Sequence, residues 1–148
     1  MRKPILPPTY FVLAVVLVLA LRLLLPGPRW IPFPLSLIGA VPILAGVVMN
    51  LVADRQLKIH ETTVKPFLPS TALVTDGAFA RSRNPMYAGM ALILLGLALL
   101  LGRPAPLFVA PLFACWMDRL FIRKEEEDLA RQFGPAFEAY RKRTRRWI

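Results

Sequence analysis

The chain has 148 residues, 19 Lys and Arg against nine Asp and Glu, and 56% hydrophobic residues, with a mean hydropathy of +0.52. That apolar content exceeds what a small soluble domain can bury, and a single cysteine with a single histidine excludes a disulfide framework and the usual zinc clusters, so no metal is expected. The net charge of +10 sits on residues that flank apolar runs and form no recognisable nucleic-acid motif, which leaves the lipid bilayer as the expected partner and gives no support to nucleic acid.

The N-terminal Met1-Arg2-Lys3 before an apolar run imitates a secretory signal. LLLPGPRW follows it in place of a small-residue cleavage pattern, so the run is expected to remain as a span. Residues 10–25 are apolar except for Arg22, and residues 35–53 carry no charge. Both approach the ~20 residues that cross a bilayer as a helix. Two shorter runs follow, joined through the proline-rich Arg103-Pro104-Ala105-Pro106, and read as a helical hairpin. An arm of about 15 residues reaches about 22 Å, short of a ~30 Å hydrocarbon core. The fold class is all-α integral membrane, a single domain over residues 1–148 with about four transmembrane helices. The expected spans are residues 10–25, 35–53, 86–102 and 105–122.

Two basic residues precede the first run, five lie between Arg55 and Arg83, and nine lie from Arg119 onward. The positive-inside rule then places both termini and the middle loop in the cytoplasm, with the cell (inner) membrane as the expected location. The loop, residues 62–84, carries Pro66, Pro69 and an Asp76-Gly77 turn signal, which predict order with little helix. The tail, residues 123–148, reads as a charged helix, a break near Phe133-Gly134-Pro135, and a second basic helix ending in KRTRRWI. Its Trp147 suits an interface anchor.

Two stretches carry the polar residues from which chemistry could be built. In RSRNPMYAG, residues 81–89, Asn84 is a favoured helix N-cap and Pro85 a favoured first helical residue. That alone describes a well-made helix start at a membrane edge. The same helix start offers free N–H groups, a partial positive charge and the Arg83 guanidinium, which together suit a ligand carboxylate. Tyr87, three residues on from Asn84, shares nearly its face. In RKEEEDLARQFG, residues 123–134, Arg123–Glu127, Lys124–Asp128 and Glu127–Arg131 can pair along a solvated face. Glu125 has only Phe121, Ile122, Asp128 and Leu129 at three and four residues, on a stripe extended by Asp118 and Gln132. A carboxylate turned inward without a cation on its own helix needs a partner or a ligand from elsewhere.

Taken together, LVTDGAFARSRNPMYAG, a helical hairpin and EEEDLARQFGPAFEAYRKR resemble the isoprenylcysteine carboxyl methyltransferase family, which is related to the membrane phospholipid N-methyltransferases. The likeness spans about residues 62–146. It implies a membrane enzyme that transfers a methyl group from S-adenosyl-L-methionine to a lipophilic or prenylated acceptor. By the resemblance, Thr71, Ala72, Leu73, Val74 and Phe79 of the loop, Asn84, Pro85, Met86 and Tyr87 of the helix start, and Glu125 hold the cofactor. Arg119 or Arg123 touches the substrate, and Glu125 with Arg123 form the catalytic pair. Many members have His where this chain has Asn84, which hydrogen-bonds but does not titrate near neutral pH. Carboxyl O-methylation is the activity most like the resemblance. N-methylation of a phospholipid or other lipid, or a non-catalytic membrane adaptor of the same fold, are the alternatives. Methyl transfer from a sulfonium is an in-line displacement that needs positioning and water exclusion, so the scarcity of acid–base groups is compatible with it.

Overall fold

The computed structural model describes residues 6–25, 27–62 and 70–148. Pro66 and Pro69, with the rest of residues 63–69, lie outside the described residues. Among those described the architecture is all-helical, without strands. Helix α1 (Pro7–Leu24) has proline at its first position, where no N–H is needed. Helix α2 (Leu35–Ile59) opens with a tighter 3-10 segment, Leu35–Gly39. A single helical turn, Ala78–Arg81, precedes α3 (Pro85–Leu101). Helix α4 (Pro104–Phe133) and α5 (Pro135–Arg143) complete the chain. Helices α1, α2 and α4 are long and apolar enough to cross a membrane, and α3 is a shorter apolar helix of 17 residues.

Exposure supports the same reading. Leu23 and Leu24 are 76% and 75% exposed, and Leu44, Leu51 and Leu112 are likewise exposed. In water each such side chain would forgo about 1.5–3 kcal/mol of burial, whereas hydrocarbon solvates it. The buried core is small and lies where α1, α3 and α4 meet, around Val18, Leu94, Phe113, Met117 and Phe121. Tyr10 and Phe121 pack edge to face there, with ring centres 5.7 Å apart. Helix α2 packs chiefly on α3. Two glycine pairs set that seam: a Cβ on Gly89 would meet the Gly46 carbonyl oxygen at 2.7 Å, and Gly39 and Gly96 oppose each other in the same way. Backbones approach this closely only where both side chains are absent.

The second arm of the hairpin begins at the proline-marked turn. Pro104 and Pro106 do not end a helix; they occupy the first turn of α4, where a missing N–H costs no bond. The helix then runs past its apolar part to Phe133, 30 residues in all. Within it, Asp118–Ile122 is π-helical. The extra residue rotates the remainder of the helix by about 100°. Asp118 and Glu125, which a regular period places on one stripe, therefore point different ways. The expected break is present: Gly134, at φ 50, turns the chain from α4 into α5.

Candidate functional site

A cavity of about 600 Å³ opens at one end of the bundle, lined from the start of α1 (Pro7), the end of α2 (Leu57), the loop, the start of α3, and the polar end of α4 with α5 (Glu125, Phe137). Of the residues expected to bind a cofactor, Ala72, Leu73, Val74, Phe79, Asn84, Pro85, Met86, Tyr87 and Glu125 line it. Thr71 does not. Its N–H donates to Thr62 Oγ1 at 3.1 Å and its hydroxyl to the Glu61 carbonyl at 2.8 Å, which pins the loop to the end of α2. Arg119 and Arg123 lie elsewhere, on a separate cleft of about 300 Å³ with Cys115 and Trp147. Arg123 donates to Asp118 Oδ2 at 2.9 Å. Glu125 and Arg123 are thus two residues apart in sequence but face different hollows.

The helix start is built differently from a side-chain cap. Asn84 makes no capping hydrogen bond; its carbonyl accepts from Ala88 N–H at 3.1 Å. The Met86 and Tyr87 N–H groups are left without a capping side chain beside the cavity. Glu125 turns inward and takes its hydrogen bond from another helix, from the Tyr87 hydroxyl to Oε1 at 2.9 Å. Arg83 lines the cavity, yet its charge is committed. Its Nε donates to Glu126 Oε1 at 3.0 Å, and its Nη1 donates to the carbonyls of Thr144 at 2.6 Å and Arg141 at 3.2 Å. Of the lining carboxylates, the buried Glu126 is held in pairs with Arg83 and Arg146, which leaves Glu125 and Asp128, the latter in a solvent-exposed pair with Arg131. Asp128 also pairs with Arg131, and Arg123 with Asp118, in place of the expected pairs of both arginines with Glu127.

The tail forms much of the wall behind the site. The Arg83 N–H donates to the Arg145 carbonyl at 2.9 Å beside a short Ser82–Arg145 β-bridge. The Tyr140 hydroxyl donates to the Phe79 carbonyl at 2.6 Å, and burial pushes its pKa up, so it stays a neutral donor. Gln132 Nε2 donates to the Ser70 carbonyl. Glu126 is buried and binds Arg146, whose pKa its hydrogen bonds raise. Trp147 packs against the helical core. Sequence reasoning missed Glu126, Arg146 and Tyr140. No local signal marks Glu126 within the run of three glutamates, because its partners Arg83 and Arg146 lie 43 and 20 positions away in sequence.

Helices long and apolar enough to span a bilayer, with a mixed polar and apolar cavity at the bundle end where α2 closes and α3 begins, give the architecture of a membrane protein. Residues 35–136 match the family described as phospholipid methyltransferase, and the chain belongs to that family. The match takes in α2, the loop, α3 and α4, in agreement with the resemblance carried by the loop and glutamate motifs. No curated protein and no solved structure matches the chain. Membership implies a membrane methyltransferase acting on a lipid-type substrate, in a family whose members generally use S-adenosylmethionine.

The cavity's donor set suits that cofactor. Its volume falls in the range that encloses small ligands. Glu125 and Asp128 complement a cation, the Met86 and Tyr87 N–H groups a carboxylate, and Leu73, Val74, Phe79 and Phe137 an aromatic ring.

Proposed function

We propose that the chain is an integral membrane methyltransferase that uses S-adenosyl-L-methionine to methylate a lipophilic acceptor, with the large cavity as its cofactor site. The observation that carries this reading is the Tyr87–Glu125 hydrogen bond, which sets an inward carboxylate beside an uncapped helix start in a cavity of suitable size. When bound, the cofactor would supply an electrophilic methyl group. The chain's part is to bind, to orient and to exclude water. Glu125 and Asp128 face the positive charge of the ligand, Met86 and Tyr87 N–H its carboxylate, and the loop residues Ala72, Leu73 and Val74 with Phe79 its flat ring. Thr71 acts at one remove, by anchoring the loop to α2.

The same cavity bears on the acceptor. A carboxylate acceptor, such as a prenylcysteine, would meet Glu125 and Asp128 with Arg83 already neutralised by Glu126. An amine acceptor suits these charges. It must lose a proton before its nitrogen can attack. A lipid amine is therefore the acceptor favoured over a carboxylate, and Arg119 and Arg123 stand apart from the cavity on the separate cleft. The starts of α1 and α3 and the ends of α2 and α4 all meet at this cavity, which supports a topology with both termini on one side. The basic loop and tail make that side the cytoplasm.

Incubating membranes that contain the protein with methyl-labelled S-adenosylmethionine tests the reading. Label in extractable lipid that resists mild base is expected. Label in protein as a base-labile ester would return the carboxylate acceptor, and no protein-dependent label, together with no binding of S-adenosylhomocysteine, would leave the adaptor.

A further inference from the structure

At the edge of the cavity, Glu126, one of its lining residues, gathers four donors. Its Oε1 accepts from Arg83 Nε at 3.0 Å and Asn84 Nδ2 at 3.3 Å, and its Oε2 from Arg146 Nη2 at 2.7 Å and Nε at 3.1 Å. A buried carboxylate with two guanidinium partners and every oxygen engaged is a fixed structure, because removing either partner leaves a charge uncompensated. Arg146 extends the cluster through Nη1 to Asp118 Oδ1 at 3.1 Å, and its own carbonyl accepts from Asn84 Nδ2 at 3.2 Å. Both atoms that meet Asn84 Nδ2 are thus obligate acceptors. The amide turned the other way would press Oδ1 against a carboxylate and a carbonyl. The cluster therefore decides which end of the amide faces it, and Oδ1 is the atom left for Asn84 to present to the cavity it lines.

We infer that Glu126 and Arg146 are positioning residues for the cavity: they clasp the Asn84 amide so that Oδ1 stands as an acceptor for an N–H-bearing group of the bound ligand. The ligand side of this inference rests on the cavity being the cofactor site; the clasp itself does not. Neither residue touches the cavity's contents through a reacting atom. Their effect passes through Asn84, and through Arg83, which ties the start of α3 to the tail.

Two measurements keep the parts distinguishable. In 15N-labelled protein in detergent, the Asn84 side-chain amide is identified by the signal lost in Asn84→Ser. Its exchange with water is expected to speed up at least about tenfold in Glu126→Gln and in Arg146→Gln. Unchanged exchange in both variants overturns the clasp whether or not a nucleoside binds. Calorimetric binding of S-adenosylhomocysteine reads the ligand side. Each single variant is expected to weaken it about tenfold, and the double variant no more than the worse single, because both act through one amide. Arg146→Lys keeps a charge but not the fork, and recovers part of the loss. Lowered thermal stability with affinities within about twofold of wild type would reduce the clasp to a structural role and overturn the positioning. A wild-type protein that binds no S-adenosylhomocysteine overturns the cofactor reading instead, and amide exchange still decides the clasp.

Discussion

The Tyr87 hydroxyl donates to Glu125 Oε1 across 2.9 Å, joining the first turn of α3 to the polar end of α4. A hydrogen bond to an ionised group contributes about 1.5–3 kcal/mol. Tyr87→Phe and Glu125→Gln are each expected to weaken S-adenosylhomocysteine binding at least about tenfold while the protein stays folded. Titration calorimetry on detergent-purified variants measures this. Wild-type affinity in both would take the pair out of the site.

The glycine seam between α2 and α3 makes a second expectation. A methyl group on Gly89 would meet Asn50 Nδ2 as well as the Gly46 carbonyl, and the latter is backbone that cannot swing away. Gly89→Ala should cost about 1–3 kcal/mol as overpacking and widen the gap on which the cavity's α2 and α3 walls depend. Thermal unfolding in detergent reads the loss. A fully stable Gly89→Ala protein would show that the helices separate without penalty.

Gly134 is a contrasting glycine. Nothing lies within 4 Å of where its Cβ would sit, so a side chain there meets open space. Its φ of 50 is the obstacle. Gly134→Ala is expected to destabilise the turn between α4 and α5 by about 1–3 kcal/mol through backbone strain alone. Because the tail backs the cavity, ligand affinity should fall along with the melting temperature.

Tyr140 ties α5 to the Phe79 carbonyl, and burial raises its pKa above that of the unfolded chain. A group whose folded pKa is raised contributes fully below its unfolded value, about 10, and loses that contribution as pH climbs toward the folded one. Wild type should therefore exceed Tyr140→Phe in stability by about 1 kcal/mol near neutral pH, with the gap closing in alkali. Denaturant titrations across that range follow the gap; a difference that stays constant into alkali would show that folding does not raise the Tyr140 pKa, and no difference at neutral pH would show that the hydroxyl contributes nothing.

What was legible in the sequence is what repeats locally. Four apolar runs, the break at Gly134-Pro135 and the unpaired inward face of Glu125 follow from spacing within one helix, and the structure has each of them. The stripe joining Asp118 to Glu125 failed because a single π turn changes the period between them, and no local propensity announces it. Arg83 looked like a free cation because the residue that neutralises it, Glu126, lies 43 positions away. Glu126 itself was hidden in a run of three glutamates with equal charge and equal propensity. Only the tail's return past α4 distinguishes it from its neighbours.

The ties between Arg83 and the carbonyls of Arg141 and Thr144 span 58 and 61 residues of chain. Translation at about 5–20 residues per second takes about 3–12 s to cover the longer distance. During that interval α1, α2 and α3 can enter the bilayer, but the cavity has no back wall. Each newly made copy therefore passes through a period as a partly inserted, ligand-incompetent intermediate, because α4, itself long and apolar enough to span, is made within the same interval.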